Sequence, residues 1–87
     1  MRYPTVHVGG TPPQRLLEDY TEAVNRLTAA LAALEWAAPN ARDYPQCGQW
    51  SHAVTEHNRR IADVARILLD VRKLAEHVAD QPKARTP

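Results

Sequence analysis

The chain has 87 residues, 44% hydrophobic and 24% charged, which leaves room for one small soluble-type domain. Eleven Lys and Arg against ten Asp and Glu give a net charge of +1, too even for a general nucleic-acid coat. One cysteine excludes an intrachain disulfide and fits a reducing compartment, and no apolar run nears the roughly 18 residues of a membrane span.

Residues 1–10 read as a flexible N-terminal arm. Val6 and Val8 alternate with Thr5 and His7 until Gly9 and Gly10 break the pattern. A first helix over about 12–38 follows, with Thr11 as its expected N-cap, Pro12 in the first helical position and Gln14 completing a capping box. Its apolar residues, Leu17, Tyr20, Val24, Leu27, Leu31, Leu34 and Ala38, advance in steps of 3 and 4, and Pro39 stops the run. Residues 39–48 carry enough turn chemistry for a loop. Asp43 and Gln46 suggest a short helical turn around Pro45.

A second helix over 49–81 repeats the seam with Trp50, Val54, His57, Ile61, Val64, Leu68, Val71, Ala75 and Val78. A further stripe, Ile67, Val71, Leu74 and Val78, widens its apolar face, and residues 82–87 read as a disordered tail. With three Gly and no Phe, the fold class is all-α: two long antiparallel helices forming a helical hairpin over 11–81. Two helices cover only one face of each other, leaving Ile67, Leu74 and many alanines in water. The hairpin is therefore expected to oligomerise into a helical bundle, most simply as two copies. The competing expectation is a monomer whose arm folds back over the open stripe.

Unusual side chains gather in the loop and at the start of the second helix. Asn40, Arg42, Asp43, Tyr44, Trp50, His57 and Arg60 form the candidate ligand-binding set. Arginine offers a planar fork for phosphate or carboxylate, the aromatics offer ring faces, and Asn and Asp read base or sugar edges. The plainer expectation is that Tyr44 and Trp50 plug the end of the bundle, while Arg42 pairs with Asp43 or Glu56. His52 and Glu56, four residues apart, are expected to pair. Cys47, His52 and His57 are spaced by five and five, which does not suit zinc, so neither metal nor cofactor is expected. No Gly-rich phosphate loop, Ser elbow or telling acidic pair supports catalysis.

The run Pro39-Asn40-Ala41-Arg42-Asp43-Tyr44-Pro45-Gln46, with Glu56-His57 and Ala75-Glu76-His77-Val78-Ala79-Asp80-Gln81, resembles small bacteriophage and prophage helical-hairpin proteins. Their loop is of the type Pro-Asn-Gly-Arg-Asp-Tyr-Tyr; here Ala41 replaces the glycine and Pro45 the second tyrosine. The likeness spans roughly residues 16–81 and implies a phage accessory protein acting in the host cytoplasm. By analogy of size and helicity with helical sponge proteins, the expected function is non-enzymatic sequestration of a small anionic, nucleotide-like immune signal. The alternatives are an anti-CRISPR-like inhibitor that binds a host protein, or a purely structural assembly module. The expected partners are the chain itself and such a ligand or host protein, with no membrane and no general nucleic-acid binding.

Overall fold

The computed structural model describes residues 1–81, and the tail expected at 82–87 lies outside the described residues. Its elements are α1 (Pro13–Trp36), a 3₁₀ turn at Ala41–Asp43 and α2 (Gln49–Asp80), with no strand among the described residues. The helices pack antiparallel as a helical hairpin, about 36 and 48 Å long at 1.5 Å per residue.

The start of α1 differs from expectation. Thr11 is not the cap and the capping box does not form: Pro12 occupies the cap position at φ −54°, ψ 136°, without a side-chain cap. Gln14 instead donates forward to the Glu18 carboxylate at 3.3 Å. Pro13 disfavours the α region for Pro12, so the helix starts one residue late; Pro13 also has no N–H that needs a cap. At the other end α1 stops at Trp36, two residues short of Ala38, with the Ala37 N–H shared between the Ala33 and Leu34 carbonyls. Ala38 precedes Pro39 and is steered away from helix for the same reason.

Gly48 opens α2 at φ 82°, a left-handed conformation that a side chain with a Cβ would adopt only with strain. Gln81 ends the helix at φ −71°, ψ 140°, the extended geometry that suits the residue before Pro82.

The two seams meet as their 3-and-4 spacing dictates. Leu17, Tyr20, Val24, Leu27, Leu31 and Leu34 of α1, and Val54, His57, Ile61, Val64 and Val71 of α2, are nevertheless only half-buried. Leu68 at 5% exposure and Val78 at 3% are the only buried residues among those described. The cause is the architecture. A cross-section of 20 × 16 Å holds two helices of about 10 Å diameter side by side, so each has a single neighbour. Trp36 is left 91% exposed, Leu69 51% and Ile67 43%. The polar faces carry exposed ion pairs one helical turn apart, Arg15–Asp19, Arg26–Glu22, Arg60–Glu56 and Arg66–Asp63.

The arm is not free. The Gln81 carboxamide accepts a 2.6 Å hydrogen bond from the Val6 N–H and donates a 2.7 Å bond to the Pro4 carbonyl. The Tyr3 ring lies 4.6 Å from that of His77, tilted by 36°. In an extended segment the C=O before a residue and the N–H after it point the same way, so one carboxamide satisfies both. The chain thus folds its arm onto the last turn of α2; of the stripe residues outside the α1–α2 seam, Ile67 stays exposed and Leu74 is half-buried.

Candidate functional site

At 32 residues against 24, α2 outruns α1, and the connecting segment doubles back along its first turns. The Asn40 side-chain oxygen accepts from the Arg42 N–H at 3.0 Å, and the Asp43 and Tyr44 N–H groups reach the Asn40 and Ala41 carbonyls. The helical turn therefore forms at Ala41–Asp43, not around Pro45 as expected. Asn40 supplies the cap, and Tyr44, preceding Pro45, leaves the turn at φ −129°, ψ 71°. The indole N–H of Trp50 points to the Pro39 carbonyl across a long 3.5 Å contact that ties the loop to α2.

Between the loop and α2 lies an open cleft of about 460 Å³. Ala37, Pro39 and Ala53 give it an apolar lining; Tyr44, Gln49, Glu56, His57 and Arg60 bring the polar groups. The α2 members Gln49, Ala53, Glu56, His57 and Arg60 are spaced at three and four residues and so share one helical face.

Three of the seven candidate residues, Tyr44, His57 and Arg60, line the cleft. Asn40 is spent on the turn, Arg42 and Asp43 project from it in exposed positions, and Trp50, 45% exposed, sits outside the lining. Glu56 pairs with Arg60, Oε2 to Nη2 at 3.5 Å, rather than with His52 or Arg42. Both side chains are more than 60% exposed, so the pair contributes at most a few tenths of a kcal/mol. The two residues the candidate set omitted, Gln49 and Glu56, were signalled by the helical spacing that joins them to His57 and Arg60.

Chemically the cleft offers one aromatic face, one imidazole, one guanidinium, one carboxylate and one carboxamide. It sets a cation beside an anion, which suits a ring-bearing ligand with both donor and acceptor edges better than a bare anion. Cys47 is exposed and outside this lining. Among the described residues no three His, Cys, Asp or Glu side chains are grouped to hold a metal ion, and no helix is long and apolar enough to cross a membrane. The chain matches no protein-family model, no curated protein and no solved structure.

Proposed function

We propose that this chain is a non-enzymatic helical association module whose working form is a pair of hairpins closed into a four-helix bundle. The supporting observation is the surface left uncovered. The chain exposes 6896 Å², against about 5,200 Å² for a compact monomer of 9.8 kDa. Setting aside about 1,000 Å² as the most that the six residues after Gln81 can contribute, an excess of about 700 Å² over that compact figure remains. A standard interface buries about 800 Å² per partner. The exposed Ile67 and Leu69 lie on the helix that carries Leu68 and Val78, the two buried residues among those described, and a near-neutral net charge sets no barrier to pairing like with like.

Sedimentation velocity tests the proposal. The expected mass is twice 9.8 kDa, returning to 9.8 kDa in Ile67→Glu, which would bury a charge in the interface. A wild-type chain that sediments as a folded monomer throughout would overturn it.

A second reading, sequestration of a nucleotide-like ligand by a phage-type accessory protein, is favoured by Tyr44, His57 and Arg60 sharing one cleft. It is tested by thermal shift against linear and cyclic nucleotides. Under this reading Arg60→Ala abolishes the shift and Arg42→Ala, outside the cleft, preserves it.

A further inference from the structure

We infer that residues 1–8 are a latch over the C-terminal end of the α2 association face, and that its release opens a longer surface for a second copy of this chain. The inference rests on the association proposed above and adds a moving part to it.

Ile67 and Leu74, seven residues or about 10 Å apart, form a stripe on α2 beside Val71 and Val78 of the α1–α2 seam. The arm lands at its far end, on His77 and Gln81, three and seven residues beyond Leu74 and so on the same helical face. Exposure falls along this face from 43% at Ile67 to half-buried at Leu74, the stripe residue next to the arm. With the arm in place, a second copy meets only the Ile67 end.

The attachment is local and light. It consists of two main-chain hydrogen bonds to one carboxamide and one ring pair, while Met1, Tyr3 and Val8 stay 60%, 44% and 77% exposed. No large side chain of the arm is fully buried, so the arm can open without disturbing the α1–α2 seam. The pivot is a turn closed by the Gly10 N–H on the His7 carbonyl at 3.1 Å. A Cβ at Gly10 would sit 2.7 Å from Nε2 of the exposed His7 ring, so a side chain there requires that ring to turn aside. The stripe exposed on release is apolar at helical spacing and continuous with the proposed interface, and so fits the same face of another copy.

Two readouts on the full-length chain test the latch: hydrogen exchange at the Val6 amide and the association constant from sedimentation. In the wild type the Val6 amide should exchange about tenfold more slowly than that of Val8, whose neighbours hold no such bond. Gln81→Ala should abolish that difference and tighten association several-fold. Gln81→Glu, which keeps an acceptor for Val6 but opposes two oxygens to the Pro4 carbonyl, should fall between them. An unprotected Val6 amide in the wild type, or protection unchanged in Gln81→Ala, overturns the latch. Lost protection with unchanged or weaker association overturns the claim that the arm covers the pairing face, while pairing itself stands. A wild type that never associates overturns both proposals together.

Discussion

At one end of the hairpin the chain closes through short-range bonds, Asn40 to Arg42 and Trp50 to Pro39. At the other, residues 4 and 6 are held by a side chain 77 and 75 positions away. The local closure satisfies the turn and buries little, leaving an open cleft ringed by Tyr44, His57 and Arg60. The long-range closure lays the arm on His77 and Gln81, one and two turns beyond the half-buried Leu74. Short-range hydrogen bonds fix a backbone shape that displays polar groups, whereas contacts across the chain complete an apolar face. Polar side chains accordingly gather in the cleft at the loop end, while the arm end is held by contacts across the whole chain.

The contrast breaks if substitutions at the two ends cost the same. The largest effect should come from Val78→Ala, which removes two buried carbon groups and leaves a cavity, for a loss of about 2 kcal/mol in urea unfolding. Gln81→Ala should come next, at about 1–2 kcal/mol for two part-buried hydrogen bonds. At the loop end Trp50→Ala should cost less than about 1 kcal/mol, because its indole is already 45% exposed and its one polar contact is long. Smallest of all, Glu56→Ala should shift stability by no more than about 0.5 kcal/mol, since it breaks one exposed i,i+4 pair. A loss at Trp50 as large as at Val78 would make the loop end a structural plug and remove the distinction.

How much of this is legible in the sequence depends on the range of the interactions. The 3-and-4 spacing from Leu17 to Leu34 and from Val54 to Val78 reports the hairpin directly, since each helix needs one apolar stripe. The cap at Thr11 misleads because two consecutive prolines shift the register by one residue. Asn40 looks like a ligand group and serves as a turn cap, since an Asn carboxamide reaches the N–H two residues on. Once Asn40 is spent in this way, Arg42 and Asp43 ride outward with the turn and leave the cleft. Glu56 and Gln49 were within reach of a periodicity argument that included polar residues. The arm's folding back was the competing expectation, but its anchor was not legible, because nothing around Gln81 marks it as the partner of residues so distant in the chain.

The most direct measurement is the urea unfolding midpoint of the wild-type chain across about a hundredfold range of protein concentration. If two hairpins share one core, the midpoint should climb with concentration, each tenfold step adding about 1.4 kcal/mol per dimer. A cooperative midpoint that does not move with concentration would contradict the paired bundle and establish the single hairpin as the stable form.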